Sequence, residues 1–224
     1  VGSEMCIRDR YDSVGNPVKY HDGKKFEWIR GRELSKIILS DDSDVTYEYN
    51  QNGLRTHKET NITSTDYEWD EKKLIRETVT YKLSGRKYDI WYYYDGNGDI
   101  AGFEYNEISE MNQELNRKSI YYEKNMQGDV IGLIDSTGAK IASYAYDAWG
   151  NVVDTVCYEK NEIPYALNHI TYRGYYFDNE SGFYYLQSRY YDAEVGRFIN
   201  ADDVKYIGAN ENRWSYNLYT VSYT

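Results

Sequence analysis

An all-β, antiparallel fold is what this 224-residue sequence predicts, and three observations predict it. One short unit recurs along the chain at a spacing of roughly twenty residues, which suits two strands with their turns. Most copies carry an Asp or Asn close to a Gly, the residue types that supply the positive backbone dihedrals of a tight reversal. Between these clusters the side chains alternate: Val79, Tyr81 and Leu83 fall on one face, while Thr78, Thr80 and Lys82 fall on the other, as in a half-buried strand.

In chain order, the unit appears as Tyr-Asp-Ser-Val-Gly-Asn at 11–16, a weaker Phe-Glu-Trp-Ile-Arg-Gly-Arg-Glu-Leu at 26–34, and Tyr-Glu-Tyr-Asn-Gln-Asn-Gly-Leu at 47–54. It continues at 67–74, then as Tyr-Tyr-Tyr-Asp-Gly-Asn-Gly-Asp at 92–99, and again at 121–128. A cleaner hairpin follows, with apolar Ile131 and Leu133, a turn at 135–138, then Ile141 and Tyr144. Tyr-Ala-Tyr-Asp-Ala-Trp-Gly-Asn at 144–151 leads to a less regular connection at 158–168 containing Pro164. Beyond it, 172–192 and 196–202 read as strand, Gly turn and strand, with tyrosines at alternate positions. Residues 107–118, with Ile108, Met111 and Leu115 three and four apart, fit either a short helix or a loop inserted between strands.

These motifs resemble the YD-repeat (RHS-repeat) family, and the stretch from residue 121 resembles its RHS-associated core. The family includes bacterial polymorphic toxins, wall-associated proteins and the teneurins. Its YD repeats form a β-sheet that spirals into a hollow shell, so the resemblance implies an incomplete fragment of such a shell. Residues 11–120 would be degenerate repeats and 121–219 the core. Residues 1–10 lack the repeat's character and resemble a translated transposase-based sequencing adapter, with its opposite strand read at 220–224; both ends are set apart from the fold as artefacts. Asn168-His169 stands where the family has Asn-Pro, and Ala193 stands where Pro commonly follows Tyr-Tyr-Asp. Neither change removes a strand or a turn.

Composition fits a sheet whose faces are partly wet. Tyr supplies 28 residues against 5 Phe, so most of the aromatic bulk carries a hydroxyl that reaches water or a polar partner. Mean hydropathy is -0.83. The net charge of -11, with no Lys/Arg run, argues against nucleic acid as a partner, because phosphate contact needs a basic patch. Setting aside Cys6 in the first ten residues leaves Cys157 alone, so no intramolecular disulfide framework is expected. No segment is apolar enough to span a bilayer.

Among the candidate sites, Asp95, Asn97 and Asp99 alternate as at the start of a calcium loop. Ile100 and Asn106 occupy the positions where such a loop needs Gly and a closing Glu, so a hairpin turn is expected and no metal. His21, His57 and His169 lie in different repeats and read as surface or sheet-face residues. No motif calls for a cofactor. In toxin-complex relatives of the family, an Asp shortly after Gly-Arg-Phe takes part in aspartyl-type self-cleavage that frees the enclosed toxin. Asp202 matches that Asp, and two carboxylates sharing a proton supply an acid and a base together. Here Ala201 replaces the Arg before it, and Asp203 stands where Pro would follow.

The resemblance therefore implies a non-enzymatic shell segment, secreted or on the cell surface of a bacterium. Its partner would be a C-terminal toxin domain of the same polypeptide, used in intercellular competition. Two alternatives stand beside it. One is a self-cleaving aspartyl core centred on Asp202. The other is a surface glycan-binding module, whose exposed Tyr and Trp rings would stack on sugars; aromatics at this density are more often cross-strand pairs.

Overall fold

The computed structural model describes residues 9–108, 117–158 and 162–201, and strands dominate them. They fall into two units, one made of residues up to 61 with those from 179 onward, the other of residues 62–178. The first unit starts with β1 (Arg10–Tyr11), β2 (Pro17–Lys19), β3 (Lys25–Ile29), β4 (Glu33–Ile38), β5 (Asp44–Tyr49) and β6 (Arg55–Glu59). The second contains β7 (Thr63–Asp70), β8 (Lys73–Tyr81), β9 (Lys87–Tyr94), β10 (Ile100–Ile108), β11 (Lys118–Lys124), β12 (Val130–Asp135), β13 (Lys140–Tyr146) and β14 (Val152–Cys157). It continues through α1 (Glu162–Ala166), a 3-10 turn at Tyr172–Gly174, and β15 (Tyr176–Asp178). β16 (Phe183–Leu186), β17 (Arg189–Asp192) and β18 (Arg197–Phe198) belong to the first unit. Within each unit strand order follows chain order, from β1 to β6 in the first and from β7 to β14 in the second, and neighbours run antiparallel, as the repeats predict.

The repeated Asp or Asn builds its own turn. At Asp12, Asn50, Asp95, Asn125, Asp135 and Asp147, one side-chain oxygen accepts the backbone N–H groups two and four residues onward, at 2.8–3.0 Å. The residue three onward is always Gly, with φ between 75° and 98°. Its N–H donates to the carbonyl of the Asp or Asn. A carboxylate or amide oxygen thus satisfies donors that the reversing backbone would otherwise leave to water. Asp95 uses its oxygen on the N–H groups of Asn97 and Asp99, which makes this segment the expected hairpin turn.

At four of these six turns the residue just before has a second role. Tyr49 donates its hydroxyl to the Leu34 carbonyl at 2.9 Å, Tyr94 to Leu74 at 3.0 Å, and Tyr146 to Val130 at 2.8 Å. Lys124 Nζ reaches Ile100 in the same way at 2.8 Å, and Trp28 Nε1 of β3, ahead of the Arg30–Gly31 turn, reaches Pro17. Each acceptor lies near the start of the strand leaving the previous turn on the same edge. Because a meander puts alternate turns on one edge, these bonds staple successive hairpins along that edge. A register shift at Tyr49, Lys124 and Tyr146 marks a bulge there. Such bulges re-aim a side chain and sharpen the local twist. The Tyr-Asp signature is therefore a staple followed by a turn former.

Three segments depart from or refine the sequence reading. Leu83 lies past the end of β8 and is fully exposed, while Val79 is buried as expected. Glu107 and Ile108 end β10, and Lys118 opens β11; residues 109–116, where the helix-or-loop question falls, lie outside the described residues. The connection at 158–168 includes the short helix α1 and ends on buried Leu167 and Asn168. Arg10 pairs with Lys19, whereas residues 1–8 and 220–224 lie outside the described residues.

Candidate functional site

In the second unit, the chain after α1 folds back as a strap over one face of the sheet. It is a small reversal in itself, with Phe177 N–H donating to the His169 carbonyl at 2.7 Å and Thr171 N–H to Tyr175 at 3.1 Å. Polar side chains from several strands converge on it. Tyr122 of β11 donates to Asn168 Oδ1 at 3.0 Å, and Asn168 Nδ2 donates to the Tyr144 hydroxyl of β13 at 3.2 Å. Val130 N–H donates to the Thr171 carbonyl, and Arg173 N–H to Asp129.

Glu77 of β8 forms the centre of this contact and has no exposed surface. Its Oε1 accepts the Tyr92 hydroxyl from β9 and His169 Nδ1–H at 2.9 Å, and its Oε2 accepts the Tyr176 hydroxyl at 2.8 Å. Tyr67 of β7 donates to Tyr176 in turn at 3.1 Å, and the His169 ring stacks on Tyr176 with centroids 4.9 Å apart. A carboxylate only accepts, so His169 must carry its proton on Nδ1. Burial pushes the Glu77 carboxyl up and is the largest single influence; the His169 ring and the bonds from His169, Tyr92 and Tyr176 together outweigh it and hold the group below its ordinary value. Closed off from solvent and filled with donors, the carboxylate is arranged to anchor a segment.

Alternation in β8 puts Glu77 in register with Val79 and Tyr81, on the face assigned to apolar side chains. An acid in an apolar register was the available sequence signal for this site. His169 is corrected: it is buried, 9 % exposed, where the sequence suggested a surface or sheet-face residue. The Asn-His dipeptide that replaces Asn-Pro supplies two of the strap's anchors. His21 and His57 stay at the surface beside Asp9 and Glu59.

The first unit repeats the scheme with the hairpin β16–β17. Tyr49 and Tyr190 hydroxyls meet at 2.7 Å, Arg55 N–H donates to the Tyr185 hydroxyl at 2.9 Å, and Tyr20 donates to Asp192 Oδ2 at 2.8 Å. The Arg55 guanidinium lies 4.3 Å from the Tyr185 ring centre, and Lys58 pairs with Glu180 at 3.1 Å. Asp202, the candidate catalytic residue, lies outside the described residues. Before it, Phe198, Ile199 and Asn200 are buried, and Asn200 binds Tyr190 N–H and the Ser188 carbonyl. Asp192 commits its other oxygen to the N–H of Glu194, so its role is to shape a turn. Among the described residues, no three His, Cys, Asp or Glu side chains gather as metal ligands, and no helix is long and apolar enough to cross a membrane.

No family model matches the chain. It is 33% identical over 196 residues to the tRNA3(Ser)-specific nuclease WapA of Bacillus spizizenii and 30% identical over 197 residues to the tRNA nuclease WapA of Bacillus subtilis. Each alignment covers 86% of this chain and 8% of the relative, so the chain spans a small part of the curated relatives' length. Among solved structures, the Tc holotoxin pore of Photorhabdus luminescens and the TcdB2-TccC3 complex each share the fold, with a TM-score of 0.74 and 19% identity. Those matches cover 94% of this chain and 10% of the other. Repeated Tyr-Asp turns, the sequential antiparallel sheet and these relatives together place the chain in the RHS/YD-repeat family.

Proposed function

We propose that the chain is a structural segment of a hollow shell that encloses and presents a C-terminal toxin domain of the same polypeptide. The longer product acts in contact-dependent or secreted competition between bacteria, outside the cell or at its surface. The observation that carries this reading is the use of the tyrosines. Along one edge they staple hairpin to hairpin, while from one face of each unit their hydroxyls grip a segment folded back on the sheet. That is construction. The similarity to toxins whose names assign nuclease activity supports the same reading, with the chemistry located in another part of the polypeptide.

The test is to express the full-length gene product and digest it with a broad-specificity protease. The C-terminal domain should resist until the shell is denatured, whereas the same domain made alone should be cut at once. Equal rates of digestion would refute enclosure.

Asp202 carries the second reading, self-cleavage, which rests on the Gly196-Arg197-Phe198 segment that precedes it. In the full-length product, Asp202→Asn would abolish a cleavage seen by mass spectrometry in the unmodified protein. With Ala201 in place of Arg, slow cleavage or none is expected.

A further inference from the structure

Glu77 is held by donors alone. Tyr92, Tyr176 and His169 each point a hydrogen at it, and Tyr67 stands behind Tyr176 with its own hydroxyl directed at that oxygen. Tyr122 of β11 also feels the Glu77 charge; burial, together with that charge, keeps its hydroxyl protonated well above 10.0. A protonated carboxyl must itself donate, and no neighbouring group is oriented to accept. One hydroxyl would have to turn round, leaving its own hydrogen without a partner in a buried site, which carries the cost of an unmade bond.

From this arrangement we propose that Glu77, His169, Tyr92 and Tyr176 form an acid-released latch: while Glu77 is ionised the strap at 167–178 stays on the sheet, and when Glu77 takes up a proton the strap leaves with the sheet intact. The latch concerns this chain's own residues and holds whatever domain the shell encloses. Two features let the strap move by itself. Its side-chain hydrogen bonds to the sheet come from a hydroxyl, an amide and an imidazole, which water can replace once they part. They add to the backbone bonds with Asp129 and Val130 and to the burial of Leu167, Ile170 and Tyr172, which also hold it. The sheet beneath keeps its own ladder, in which Glu77 pairs with Ile90 and Tyr67 through the backbone.

The direction with pH follows from linkage. The folded state lowers the Glu77 carboxyl below its ordinary value of 4.5, so its contribution is fully present above that value and is lost as pH falls through the lower, folded one. Tyr92→Phe removes one of the three donors that favour the anion, so the latch should open at higher pH.

Amide hydrogen exchange of the chain, expressed as protection factors at a series of pH values, tests this. Thr171 and Phe177 in the strap should lose protection on the order of tenfold per pH unit below the release point, as one proton requires, while amides of β9 and β10 keep theirs. Tyr92→Phe should raise the release point by roughly one pH unit, a tenfold change in proton affinity. Glu77→Gln, which cannot titrate, should remove the step. Loss of strap and sheet protection over one common pH range, or an unchanged release point in Tyr92→Phe, would overturn the latch.

Discussion

Replacing Gly150 by alanine should cost much more than the same change at Gly138, although both residues hold the same place in a Tyr-Asp type turn. Gly138 has φ of 87° and Gly150 of 98°, so each alanine meets a left-handed backbone penalty of about 1–2 kcal/mol. Around Gly138 a new Cβ finds open space, with nothing within 4 Å. At Gly150 it would sit 2.5 Å from Cδ1 of Tyr172, with two further ring atoms at 2.8 Å. That ring is buried, and its hydroxyl is tied to the Ala148 carbonyl at 3.1 Å. Moving it disturbs the strap, and overpacking of this kind adds about 1–3 kcal/mol. Gly138→Ala should therefore lose about 1–2 kcal/mol and Gly150→Ala about 2–5 kcal/mol. Urea titration followed by circular dichroism gives both values from the midpoints. Equal losses, or a greater loss at Gly138, would refute the claim that this turn is packed against the folded-back segment.

Tyr94→Phe should destabilise by about 0.5–1.5 kcal/mol through loss of the staple to Leu74, and Tyr146→Phe by a similar amount, when measured by the same titration. Tyr121→Phe on an exposed face should change stability by less than about 0.5 kcal/mol. At alkaline pH the phenols govern: burial raises Tyr92 and Tyr122 well above 10.0 and Tyr94 to about 12. Their contribution is complete below 10.0 and fades as pH rises through the folded values, so stability should stay level to 10.0 and fall above it; tyrosinate absorbance that develops fully at 10.0 would contradict this. β14 exposes Val152, Val153 and Val156, so the chain should associate in a concentration-dependent way seen by sedimentation, and Val153→Lys should weaken that association.

The turns were legible because their chemistry is local. Asp or Asn at the first position and Gly three residues later fix the reversal whatever surrounds them, so 95–99 and 147–151 could be read from the sequence alone. The staples were half legible: tyrosine abundance pointed to hydroxyls with partners, but the partner carbonyls of Leu34, Leu74 and Val130 lie one repeat back and carry no side-chain signature. Glu77 and His169 are 92 residues apart, and only the folded-back strap joins them. His169 in isolation resembles any surface histidine. Alternation extended past the end of β8 places Leu83 on a strand face, whereas the turn there leaves its side chain in water.

In the proposed function this sheet forms part of a closed chamber around a C-terminal domain. Cryo-electron microscopy of the full-length gene product tests it most directly. The expected map has the Tyr-Asp turns aligned along the edges of a continuous sheet that curves into a shell, the 167–178 strap on its inner face, and additional density within the chamber. An open sheet with its C-terminal domain outside, or a strap on the outer face, would contradict it.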